Sequence, residues 1–98
     1  MLKRPYSMVK IKLLGTLRLR FTPWEKEIPL KDSLPLAELL ALLEKEYPGL
    51  LAHLLEGKEL KPGVVILVNG KNIHHLAGLE TQVSPGDTVV IFPPGAGG

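Results

Sequence analysis

The residues with the most evident chemical use are the last seven of this 98-residue chain, Phe92-Pro93-Pro94-Gly95-Ala96-Gly97-Gly98. Two prolines cannot donate ladder hydrogen bonds and favour an extended polyproline geometry, so they stop a strand and aim the chain outward. The four residues after them carry one methyl group between them. Six residues from Pro93 reach at most about 20 Å, enough to enter a deep active site. Glycine at such an end adds no side chain in a narrow channel and allows any φ. The main-chain carboxylate of Gly98 is ionised at neutral pH, with a reference pKa of about 3.3–3.7, and is a poor electrophile. ATP would have to convert it to an acyl-adenylate before a sulfur or nitrogen nucleophile could attack. That chemistry would belong to a partner, with Gly98 as the reacting group and Gly97, Ala96, Gly95, Pro94, Pro93 and Phe92 as the residues the partner grips.

An arm of this kind needs a body that anchors it. Val9-Lys-Ile-Lys-Leu13 alternates with period two, as a half-buried strand does. Leu17, Leu19 and Phe21 repeat the alternation, with Arg18 and Arg20 facing away like Lys10 and Lys12. Ile28 and Leu30 mark another short extended piece. The period then changes. Ser33 is a candidate N-cap with Pro35 in the first turn, Leu36, Leu39, Leu40 and Leu43 follow at helical spacing, and Pro48-Gly49 ends the helix. Leu50 to Leu55 reads as a short second helical turn. Val64 to Val68 is a strand, Asn69-Gly70 a hairpin turn, Ile73 to Leu76 the return strand, Ser84 to Asp87 a turn, and Thr88 to Phe92 the last strand. The order is strand, strand, helix and three strands, an α+β arrangement with one main helix on a mixed sheet of four to five strands.

Val64 to Val68 and Val89 to Phe92 are apolar on both strand faces, as central strands covered on both sides would be. One helix covers one face only. The parity set Val65, Leu67, Val90 and Phe92 is therefore expected on the uncovered face near the tail, as part of a partner site.

Composition removes several alternatives. With no cysteine there is no disulfide, thiolate metal site or cysteine nucleophile; any sulfur must come from outside and be held on something other than a thiol. No apolar run approaches the roughly 20 residues of a membrane span, and no signal peptide is visible, so a cytoplasmic location is expected. His74 and His75, adjacent in a strand, would point to opposite faces, and with His53 as the only other histidine no metal site is expected. No Ser/His/Asp spacing suggests a catalytic site of the chain's own. The net charge is +2, but residues 1–31 hold eight Lys/Arg against two Glu, and residues 32–98 hold four Lys against eight Asp/Glu. The basic third fits an acidic partner surface better than nucleic acid, because its cations alternate with apolar residues.

Three segments resemble the MoaD/ThiS-type ubiquitin-like sulfur carriers, closest to the small subunit of molybdopterin synthase. Met8-Val-Lys-Ile-Lys-Leu-Leu-Gly15 is similar to that family's opening strand and Val68-Asn-Gly70 to its central hairpin. Ser84-Pro-Gly-Asp-Thr-Val-Val-Ile-Phe-Pro-Pro-Gly-Ala-Gly-Gly98 is similar to its closing strand and tail. The resemblance implies a β-grasp domain over residues 8–92 and a flexible reactive tail over 93–98. Met1 to Ser7, short and polar, reads as a disordered extension or, with Met8 as the true start, a misassigned one. In that fold the last strand lies parallel to the first at the sheet centre. The resemblance also implies that a ubiquitin-activating-type adenylyltransferase, using ATP, adenylates Gly98, and that a sulfur-donating enzyme supplies the sulfur for a thiocarboxylate. The thiocarboxylate would then serve molybdopterin or tungstopterin biosynthesis, with the large synthase subunit as partner and no cofactor bound by the chain itself. Ile66-Leu-Val-Asn-Gly70 and Leu76-Ala-Gly-Leu-Glu-Thr81 also resemble ubiquitin-related modifiers that serve tRNA thiolation or protein conjugation, and that alternative stays open.

Overall fold

The alternation at the start of the chain becomes strand β1 (Met8–Leu13), whose Val9, Ile11 and Leu13 are fully buried while Lys10 and Lys12 lie on the other face. A computed structural model describes residues 7–95. Residues 1–6, most of the expected N-terminal extension, lie outside it; the Ser7 carbonyl accepts the Leu30 N–H at 2.8 Å.

After Gly15-Thr16 the chain departs from the alternation. Leu17–Arg20 is a single helical turn, α1, rather than a strand. Helical spacing places Leu17 and Phe21 together in the core and turns Leu19 to solvent, where it is 85% exposed. A period-two reading groups all three leucine and phenylalanine positions on one face, so Leu19 is the residue that separates the two. Strand β2 (Glu25–Pro29) then pairs antiparallel with β1, with Ile28 opposite Val9.

Strand β3 is only Leu34–Pro35 and precedes α2 (Leu36–Glu46), the main helix. Ser33 does not cap it. Leu34–Pro35 pairs with Gln82–Val83, and the Leu36 N–H donates to the Thr81 carbonyl at 2.8 Å. The Ser33 hydroxyl sits 2.6 Å from that of Ser84 instead. Leu36, Leu39, Leu40 and Leu43 point from α2 into the core as their spacing demands. Gly49, at φ +94°, lets the chain turn sharply into α3 (Leu50–Leu54). A small hairpin of β4 (Leu55–Glu56) and β5 (Glu59–Leu60) follows.

Strand β6 (Val65–Val68) and β7 (Lys71–Asn72) form the hairpin expected at Asn69-Gly70, which have φ of +51° and +84°. The return strand stops after two residues. Asn72 Oδ1 accepts the His74 N–H at 2.9 Å and starts a 3-10 turn over Ile73–His75, so His74 and His75 are both exposed on a helical turn and not on opposite faces of a strand. After β8 (Gln82–Val83), the Ser84-to-Asp87 turn leads into β9 (Thr88–Phe92). Asp87 accepts from the Ser84 N–H and from Asn69 Nδ2, and Asn69 Oδ1 accepts the Thr88 N–H, fastening both turns to each other.

The main sheet runs β2-β1-β9-β6-β7. β9 lies parallel to β1 and antiparallel to β6, so it occupies the centre, and α2 and α3 pack their leucines against one sheet face. No helix among the described residues is long and apolar enough to cross a membrane.

Candidate functional site

Everything at the candidate site is set by where β9 ends. Val89 and Ile91 are fully buried on the helix side, which fixes Val90 and Phe92 on the opposite face. Cross-strand pairing then sets Leu67 opposite Val90 and Val65 opposite Phe92. All four are half-buried, unlike their neighbours Ile66, Val68, Val89 and Ile91. The expected parity set is thus a contiguous apolar patch on the sheet face away from the helices. Lys12 is beside Val90 through the parallel pairing. Lys10 and Glu25 continue that face as an ion pair at 3.6 Å.

Past Phe92 the chain is still held. The Leu14 N–H donates to the Ile91 carbonyl at 2.9 Å, carrying the β1 pairing to the strand's last residues. Pro93 is buried, whereas Pro94 and Gly95 are exposed. The loop before β6 supports them from beneath. A Cβ built on Gly63 would lie 3.5 Å from the Pro94 Cα and from the Gly95 nitrogen, and Gly63 itself has φ +91°. A side chain there would be strained by that backbone conformation and would touch the root of the tail at ordinary van der Waals distance. The sequence reading passed over Gly63. Its signal was the Pro62-Gly63 pair, which marks a turn without saying what the turn touches. Gly98, expected as the reacting group, and Ala96 and Gly97, expected among the residues the partner grips, lie outside the described residues.

On another side of Gly95 there is an open cleft of about 470 Å³ lined by Gly15, Thr16, Arg18, Leu19, Trp24 and Gly95. The Arg18 guanidinium lies 4.4 Å from the centroid of the Trp24 ring. Reading residues 17–21 as a strand concealed this corner, because only a helical turn separates Leu19 from Leu17. Among the described residues no group of three or more His, Cys, Asp or Glu is placed to hold a metal ion.

A central strand with its exit beside an apolar sheet face is the frame against which relatives can be compared. Residues 11–98 match the ThiS family. The chain belongs to this family. It is a family of ubiquitin-like sulfur carriers and modifiers, and the β-grasp architecture that the resemblance implied is the one this ThiS-family chain adopts. It is 45% identical over 67 residues to small archaeal modifier protein 3 of Haloferax volcanii, spanning 68% of this chain and 73% of that protein. The solution structure of small archaeal modifier protein 1 from Methanosarcina acetivorans is similar with a TM-score of 0.75 at 33% identity, over 94% of this chain and 97% of that one. A chain in the crystal structure of the Amycolatopsis orientalis BexX/CysO complex is also similar, at 30% identity and a TM-score of 0.75, covering 92% of this ThiS-family chain and 99% of that chain.

Proposed function

We propose that the protein carries activated sulfur on its own backbone terminus. In the active site of an adenylyltransferase, the Gly98 carboxylate attacks the α-phosphorus of ATP and pyrophosphate leaves, giving an acyl-adenylate. Hydrosulfide then attacks the carbonyl carbon, AMP departs, and loss of the sulfur-bound proton leaves a thiocarboxylate. The chain's own contribution is presentation: β9 holds the root of the arm at the sheet centre, Pro93 and Pro94 direct it outward, and Gly95, Ala96, Gly97 and Gly98 let it thread. The patch of Val65, Leu67, Val90 and Phe92 is the docking face for the enzyme that does the chemistry. The acceptor is a pterin precursor on a larger synthase subunit, in the cytoplasm, giving the dithiolene that holds molybdenum or tungsten.

The observation that carries this reading is the junction of the central strand with Pro93-Pro94-Gly95 in a ThiS-family chain. One observation favours a second reading, conjugation to other proteins through Gly98: the 45% identical relative is named a modifier protein. Mass spectrometry of the protein from its own cells tests both. A terminus heavier by the difference between sulfur and oxygen is expected, and deletion of Gly97 and Gly98 is expected to abolish it. An unmodified terminus overturns the carrier proposal. Gly98 adducts on lysines, with dithiolene cofactor unaffected in a deletion strain, select the second reading.

A further inference from the structure

The corner made by α1 and Trp24 has no part in the docking face just described, yet it adjoins the same arm. Leu19 is 85% exposed, the most exposed of the large hydrophobic residues among those described. Arg18 is exposed and makes no ion pair among the described residues. Its guanidinium carbon lies over the Trp24 ring, 4.4 Å from the centroid, and its side-chain N–H groups make no hydrogen bond among the described residues. A stacked guanidinium is already positioned, and its planar fork matches a carboxylate in two parallel hydrogen bonds. Arg18 supplies the only charge among the six residues lining the cleft. Arg20 adds a second exposed cation on the same turn, and the nearby Glu25 is engaged by Lys10. The cleft thus combines a fixed cation with apolar surface from Leu19 and Trp24, and carries no anion of its own.

Distance identifies the occupant. Gly95 forms one wall of the cleft. From Gly95 to Gly98 the chain spans at most about 11 Å. Whatever surrounds Gly98 during activation must therefore face this corner as well. We propose that the cleft receives an acidic–apolar segment of the adenylyltransferase, a carboxylate on the Arg18 edge and an adjacent apolar side chain against Leu19 and Trp24. This rests on the reading of Gly98 as the activated group, and it adds a second contact area that shares no lining residue with the Phe92 patch.

The test uses the full-length chain and the adenylyltransferase of the same organism, read by ATP–pyrophosphate exchange. Arg18→Glu and Leu19→Asp, both at exposed positions, are expected to raise the KM for the chain by about tenfold, with kcat within about twofold of wild type. The Arg18→Glu effect shrinks with added salt, and Arg18→Lys recovers part of the loss. Circular dichroism confirms the fold, and the two variants perturb it independently. Unchanged KM in both folded variants overturns the proposal. Calorimetric titration of the chain lacking Gly97 and Gly98 into the enzyme separates the two ideas. If that chain still supports exchange, the Gly98 reading falls; if it binds and Arg18→Glu leaves its affinity unchanged, the cleft proposal falls. Binding of a single-stranded RNA oligonucleotide that Arg18→Glu abolishes, with enzyme affinity intact, assigns the cleft to nucleic acid and also overturns it.

Discussion

Glu44 lies one turn from the end of α2, and its carboxylate accepts two backbone N–H groups across the bend, from Gly49 at 2.7 Å and Leu51 at 2.9 Å. These are the donors that the start of α3 leaves without helical partners. Accepting them holds the Glu44 carboxyl below the ordinary glutamate range, the Gly49 bond having the larger effect. A carboxyl whose pKa is lowered by folding stabilises the fold above its unfolded pKa, and that contribution disappears as pH falls through the folded value. Glu44→Gln is therefore expected to melt at a lower temperature than wild type at neutral pH. The gap should narrow as pH falls below the ordinary glutamate pKa of about 4.3. Thermal melts across that range check it, and a gap that is constant with pH would remove the ionic account. Lys26 behaves with the opposite sign. Its hydrogen bond to Glu46 at 2.6 Å raises its pKa, so that contribution is present at neutral pH and lost only in strong base. Tyr47 completes this corner. Its hydroxyl donates to the Pro23 carbonyl at 2.6 Å and its ring meets Phe21 edge-on, while burial pushes the phenol's pKa up.

Elements differ in how far their residues announce them. β1 and β9 were legible because a sheet with helices on one face imposes strict alternation, and the apolar run of β9 marked it as central. The same logic separated Val65, Leu67, Val90 and Phe92 from their buried neighbours. α1 was not legible: four residues give a single turn, and Leu17 and Phe21, four apart, satisfy both a strand and a helical period. The return strand, expected at Ile73 to Leu76, lies instead at Lys71–Asn72, because a side-chain contact, Asn72 to the His74 N–H, diverts the backbone where apolar residues suggest extension. The β4–β5 hairpin is two residues per strand and carries no periodicity to read. The weight that falls on β9 has a measurable consequence. Ile91 is fully buried between β1 and β6. Ile91→Ala is expected to cost about 2–5 kcal/mol, a large share of the stability of a small domain, read as a large fall in denaturation midpoint. Val90→Thr, one residue away on the open face, is expected to shift the midpoint little and to act on partner binding instead. Equal losses for the two would contradict the assignment of faces.

At the scale of the molecule, the sheet solves a problem that the arm alone cannot. A glycine-rich tail has almost no side-chain surface for recognition, so under the proposed function discrimination falls to the body and reactivity to the end. The sequence places charge accordingly, with the cations concentrated in residues 1–31 and the anions in the remainder, and the fold puts an apolar patch at the exit of the central strand. Phe92 joins the two parts: it is half-buried, opposite Val65, and directly precedes the buried Pro93. Body and arm should therefore fail separately. Phe92→Asp places a charge on the open face without burying it in the core, so the fold is expected to survive with a modest loss of stability. Affinity for the adenylyltransferase is expected to fall by roughly tenfold or more, the size typical of truncating a central aromatic anchor. The chain lacking Gly97 and Gly98 should show the reverse pattern, with retained affinity and no acyl-adenylate. Calorimetric titration with the enzyme, alongside pyrophosphate exchange, measures both halves of this pattern on the same proteins. If folded Phe92→Asp binds as wild type does, the sheet face has no role in docking, and recognition must come from the arm or from the Arg18 corner.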